Sequence, residues 1–149
     1  MIIIRPATPT DVPQLANLLT LLFTLESDFD VDNDKQTRGL LQLLNTESAV
    51  VWVAESTHDL KVVGICSVQT LISTAEGGAV GLLEDLIVAP AYRGQAIATQ
   101  LLANATAWAE QRGLKRLQLL ADKHNQPALD FYTRRGWQAT QLIGLRLGL

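Results

Sequence analysis

Leu82-Leu83-Glu84-Asp85-Leu86-Ile87-Val88-Ala89-Pro90-Ala91-Tyr92-Arg93-Gly94-Gln95-Ala96-Ile97-Ala98-Thr99-Gln100-Leu101-Leu102 changes character twice. Apolar and branched residues between Gly81 and Pro90 predict a strand, and that strand carries two acids. Ile97, Leu101, Ala105, Trp108 and Ala109 fall on one face at a spacing of 3.6 and predict a helix. Between them lies a short loop with Arg93, Gly94 and the small residues Ala96 and Ala98. A helix start presents unpaired N–H groups and the positive end of the helix dipole, so it can hold phosphate oxygens. Strand, loop and helix together read as a pyrophosphate cradle.

The rest of the chain narrows the possibilities. Its 149 residues suit one domain, 1–149, with a substantial core. A net charge of −3 and the lack of any basic run give no reason to expect nucleic acid as a partner. The apolar run at residues 1–6 is too short for a signal peptide or a membrane span. The single cysteine, Cys66, rules out an intrachain disulfide and a multi-cysteine metal site. Its apolar surroundings predict core filler, and the cytoplasm follows as the expected location.

Residues 2–6 predict a first strand. Thr8, Pro9 and Asp11 then predict a helix start, with Thr8 as N-cap, and Val12, Leu15, Ala16, Leu19, Leu22 and Phe23 as the buried stripe. An acidic, turn-prone segment at 26–34 leads to a second helix at about 34–45. Strands at 48–55 and 62–71 flank the hairpin turn Thr57-His58-Asp59. After the long helix, expected to end near Gly113, the apolar run 114–121 reads as a buried parallel strand. A further helix at 126–135 stops at Gly136, and 137–147 reads as one or two short strands. This is an α/β layout with a mixed sheet.

Arg93-Gly94-Gln95-Ala96-Ile97-Ala98 resembles the acetyl-CoA binding motif of the GNAT superfamily of N-acetyltransferases, Arg/Gln-x-x-Gly-x-Gly/Ala. Ala96 stands where that family usually has Gly; a helix start at negative φ would tolerate it, with its methyl pointing to where phosphates approach. Asn125-Gln126-Pro127-Ala128-Leu129-Asp130-Phe131-Tyr132-Thr133-Arg134-Arg135-Gly136-Trp137 is similar to the family's second signature, with Trp137 for the usual Phe. The element order matches too. Leu83 to Leu86 with 131–136 also looks like the spermidine/spermine-type diamine acetyltransferases. The resemblance implies a mixed, mostly antiparallel sheet of about six to seven strands with about four helices, and parallel strands that splay at the cofactor site. Backbone groups of Leu86, Ile87 and Val88, the loop Arg93, Gly94, Gln95, Ala96, Ile97 and Ala98, and Asn125 and Tyr132 would hold acetyl-CoA. The implied partner is a small-molecule amine, and the apolar segment 142–147 would either pair across a homodimer or close the chain's own sheet.

Acyl transfer from a thioester to an amine requires a held cofactor, an amine that loses a proton and a thiolate that gains one. Tyr132 is the candidate acid, because a phenol titrates near a free thiol; the competing reading is an aromatic packed beside Phe131. Asn125 also suits a helix N-cap. Acids within an apolar strand are costly to bury without a task, so Glu84 is the candidate base and Asp85 a binder of the amine. Strict alternation would send the two to opposite faces unless the strand carries a bulge. Glu26, Asp28 and Phe29 would lie over the acceptor and attract a cation, against the reading of an ordinary solvated loop. His58 and His124 have no ligand partner at metal spacing, and no metal is expected. The function so predicted is N-acetylation of a small cationic amine, with peptide acetylation or a non-catalytic acyl-CoA-binding module as alternatives.

Overall fold

The computed structural model describes residues 1–26 and 28–149; Ser27, inside the acidic segment, lies outside the described residues. The chain resolves into two compact units, Met1–Gln118 and Leu119–Leu149.

In the first unit the elements run β1 (Ile2–Pro6), α1 (Val12–Leu25), α2 (Asn33–Leu44), β2 (Ala49–Ser56), β3 (Lys61–Ser73), β4 (Gly78–Val88), α3 (Ile97–Gln111) and β5 (Leu117–Gln118). The strands form one sheet in the order β1-β2-β3-β4-β5. The first three junctions are antiparallel and β4–β5 is parallel. Seven consecutive residues of β3, Val62 to Val68, are buried, as the middle of a sheet covered on both faces requires.

Alternation divides the core. Val51, Val53, Ile65 and Ile87 turn to one face and pack with Val12, Leu15, Leu19 and Leu40 of α1 and α2. Gly64 turns to the other, where a Cβ would stand only 3.0 Å from Leu101 Cδ1; its absence lets α3 lie close. Leu101 is fully buried there, so truncating it to Ala would cost roughly 2–5 kcal/mol. Cys66 is also fully buried, as core filler. Arg5 ties the start of α1 to the sheet by donating to both Asp11 oxygens (2.8 and 3.0 Å) and to Glu55 (2.7 Å). That guanidinium holds the half-buried network together and keeps the Asp11 carboxyl below its usual range.

The expected Thr8 start is realised as a 3-10 turn, Pro9–Asp11, in which Asp11 accepts from the Thr8 N–H at 2.7 Å. Among the described residues the sheet has five strands, one or two fewer than expected. The run 114–121 gives only the half-buried pair Leu117–Gln118, because β4 pairs with it at Gly81 and Leu82 alone. In the second unit α4 (Gln126–Arg134) forms as expected, but residues 137–147 form no strand. Their apolar side chains Leu142, Ile143, Leu145 and Leu147 are exposed. No helix among the described residues is long and apolar enough to cross a membrane.

Candidate active site

β4 holds one more residue than β3 at the level of its two acids. Ile65 faces Ile87 and Ser67 faces Glu84, so Asp85 and Leu86 together oppose Cys66. This is a bulge, and Asp85 takes a left-handed φ of +58° in it. Left-handed backbone is unfavourable for a residue with a Cβ, with Asp and Asn the more tolerant exceptions. Ser67, buried opposite, donates from Oγ to the Glu84 carbonyl at 3.2 Å and pins the bulge.

The bulge removes the limit set by alternation. Glu84 and Asp85 both line one cavity of about 450 Å³, with Leu19 and Phe23 of α1 as its apolar wall. Asp85 is half-buried and Glu84 exposed. Burial, with Glu84 and Glu26 adding like charge, pushes the Asp85 carboxyl up to about 7. Residues of α2 also line the cavity. Asp32 caps α2, accepting from the Lys35 N–H at 3.1 Å, and Gln36 accepts from the Asp32 N–H at 2.9 Å. The same Gln36 amide donates to Ala16 O (2.9 Å) and Thr20 Oγ1 (3.0 Å), stapling α2 to α1. Asp30, Asp32 and Lys35 line the cavity.

Of the acidic segment, Glu26 therefore acts on Asp85 through charge, whereas Asp28 and Phe29 are not among the lining residues. Phe29 stacks on Phe23 at 5.3 Å, and Phe23 is part of the wall. Sequence reasoning did not find Ser67, Gln36, Gly39 or Lys35. Gln36 left one signal, a polar residue in helical register with Leu40 and Leu43.

The loop after β4 begins with a 3-10 turn, Pro90–Tyr92. The Tyr92 hydroxyl donates to the Asp59 carboxylate in the β2–β3 turn, where Ser56 Oγ also donates at 3.3 Å. Arg93 folds back so that Nε donates to Val88 O at 3.0 Å. Gly94 has φ +78°, a conformation that suits glycine, and residues 93–96 are exposed. Ala96 also sits at positive φ, +59°, as N-cap of α3. This corrects the expectation of a negative φ there: the chain must swing out of the loop before the helix can begin, and that turn favours Gly. The N-cap of α3 is an alanine and makes no side-chain capping hydrogen bond. Ile97 is buried and Ala98 half-buried at this helix start, and Gln95 is exposed. Leu86, Ile87 and Val88 lie beyond the last β4–β5 pair, with Leu86 half-buried and the other two buried. A helix start without an N-cap side chain, a loop of small residues and a strand end beyond the last β4–β5 pair fit a diphosphate attached to an extended arm.

In the second unit, Asn125 caps α4, its side chain accepting from the Ala128 N–H at 3.2 Å. Tyr132 lies seven residues on, between Phe131 (5.3 Å) and Trp137 (5.7 Å) in edge-on contacts. His58 and His124 are exposed. No group of acids, histidines and cysteines among the described residues could hold a metal ion.

Comparison with known proteins agrees with this geometry. The sequence model of the acetyltransferase (GNAT) family matches residues 13–137. The aminoalkylphosphonate N-acetyltransferase of Salmonella typhimurium is 28% identical over 135 residues, 91% of this chain and 84% of that protein. A transcriptional regulator from Bacillus halodurans C-125 superposes with a TM-score of 0.86 over 100% of both chains, at 25% identity. A predicted acetyltransferase from Clostridium acetobutylicum, solved with acetyl-CoA, superposes with a TM-score of 0.78 over 98% of this chain and 96% of its own, at 23% identity.

Proposed function

Since the chain belongs to the acetyltransferase (GNAT) family and is an N-acetyltransferase with acetyl-CoA as cosubstrate, we propose that it acetylates a primary amine of a small cationic molecule. The observation that carries this reading is the bulge at Asp85, which lines one cavity with both Glu84 and Asp85. Asp30 and Asp32 add two more carboxylates at its α2 side against one cation, Lys35. Such a cavity favours an ammonium group.

The acetyl group comes activated as a thioester. We assign the roles of the two acids in reverse of the sequence expectation: Glu84 holds the ammonium, and Asp85 takes its proton. A carboxyl raised to about 7 accepts a proton from an amine far more readily than one at its ordinary value. The freed amine forms the new N–C bond as the C–S bond breaks, and the thiolate takes a proton from Tyr132. The assignment of Tyr132 rests on the Asn125 to Trp137 signature. The loop 93–98 would hold the diphosphate, with backbone groups of Leu86, Ile87 and Val88 along the arm, and Asn125 is assigned to the cofactor on the same signature as Tyr132.

The family match runs through both compact units, which supports reading 1–149 as one acetyltransferase domain. The exposed leucines of 142–147 support a homodimer, and the single buried cysteine a reducing cytoplasm. A second reading is an amine that also bears an anion; Lys35 in the cavity and the Salmonella relative favour it.

A panel of ethylenediamine, spermidine, 2-aminoethylphosphonate, glucosamine and a hexapeptide, assayed by free-thiol release from acetyl-CoA, decides between them. Turnover of the diamines supports the first reading and turnover of the phosphonate the second. Turnover confined to the peptide would overturn both.

A further inference from the structure

α2 carries a glycine near its middle, Gly39, and nothing in the fold asks for one. Glycine is the least favourable residue of a helix interior after proline. Two structural reasons can justify it: a left-handed backbone or a close neighbour. Gly39 has neither, because its φ is not in the left-handed region and, among the described residues, a Cβ built on it meets no atom within 4 Å outside the local helix backbone. It does line the cavity, in the centre of the α2 wall. Lys35 and Gln36 lie one turn before it, Gln42 and Leu43 one turn after, and all four line the same space. What the missing side chain provides is room in the cavity that the two acids of β4 also line.

We propose that Gly39 determines acceptor size, keeping open the part of the cavity that takes the body of the amine. The inference rests on reading this cavity as the acceptor site. A methyl at this position narrows the space and an isobutyl group blocks it, so selectivity shifts towards compact amines without any change in the acids.

Gly39→Ala and Gly39→Leu, compared with wild type on the amine panel, test the proposal. Gly39→Ala raises Tm by about 2–4 °C, since a helix-interior alanine replaces glycine in open space. In Gly39→Leu, kcat/KM for spermidine relative to ethylenediamine falls about tenfold or more. A fall in Tm for Gly39→Ala would show that the glycine serves the fold and would overturn the proposal. So would an even loss, or none, across acceptors of different size in Gly39→Leu. Asp85→Asn separates this failure from that of the underlying reading. If Asp85→Asn turns over like wild type, the acceptor-site reading fails; if it is inactive while Gly39→Leu shows no size dependence, only the role of Gly39 falls.

Discussion

Ser67 Oγ reaches across from β3 to the carbonyl oxygen of Glu84, 3.2 Å away, one residue before the left-handed Asp85. A buried hydroxyl so used holds a bulge that would otherwise be free to slip back into register. Removing it loosens the placement of both acids at once. Ser67→Ala is expected to lose about 1 kcal/mol of stability in urea denaturation. Its kcat should fall about tenfold through misplacement of the base, with KM for acetyl-CoA little changed. Ser67→Thr, which keeps the hydroxyl, should recover part of the rate.

Asp85 predicts two pH effects. Its carboxylate is available as a base only above its folded-state value of about 7, so kcat/KM should rise with pH through that region. Asp85→Asn should lose that limb of the profile and at least about 100-fold in kcat. The stability effect has the opposite sense. Because the folded value lies above the ordinary 3.8, the folded protein keeps a proton that the unfolded chain releases between about pH 4 and 7. Stability therefore falls as pH rises through that window, and the cost is complete above it. Relative to wild type, Asp85→Asn should gain roughly 4 kcal/mol at pH 8 over pH 4, measured by urea titration at both.

Ala96 sits at φ +59° where glycine would be unstrained. Ala96→Gly should raise stability by about 1 kcal/mol and lower KM for acetyl-CoA, since it relieves the turn and removes a methyl from the loop. A fall in both stability and affinity would show that the alanine is favoured by something beyond the backbone.

Tyr92 joins the start of the same loop to Asp59 in the β2–β3 turn. Tyr92→Phe deletes that tie while keeping the ring. Steady-state kinetics should show KM for acetyl-CoA rising about threefold, more than kcat falls, because the loop must then be ordered on binding.

Local chemistry was the legible part of this chain. Pro9 and Asp11, Asn125 as a cap, and Gly113 and Gly136 after α3 and α4 each act within a few residues of themselves, and each stands where the sequence put it. Pairing was less legible. The run 114–121 has the composition of a buried strand, but a strand exists only where a neighbour pairs with it, and β4 offers two positions. The apolar residues of 137–147 lack a partner strand for the same reason. The site divides likewise. The acids of β4 and the loop from Arg93 stood out by type, while the sign of φ at Ala96 depended on how the chain enters α3. Gln36 and Gly39 matter only because α2 and β4 line one cavity, a relation between segments that no local pattern encodes.

Cys66 bears on how all these measurements are read. It is the only cysteine in the sequence, fully buried, and burial with the nearby Asp85 pushes its thiol up to about 12. Only a thiolate that can reach the reagent attacks it, so at neutral pH the buried, protonated Cys66 of the folded protein stays silent and the thiol titrated is released coenzyme. The same reagents would detect Cys66 only once the fold opens, which makes one colorimetric signal a measure of turnover in the native protein and of unfolding in a damaged one.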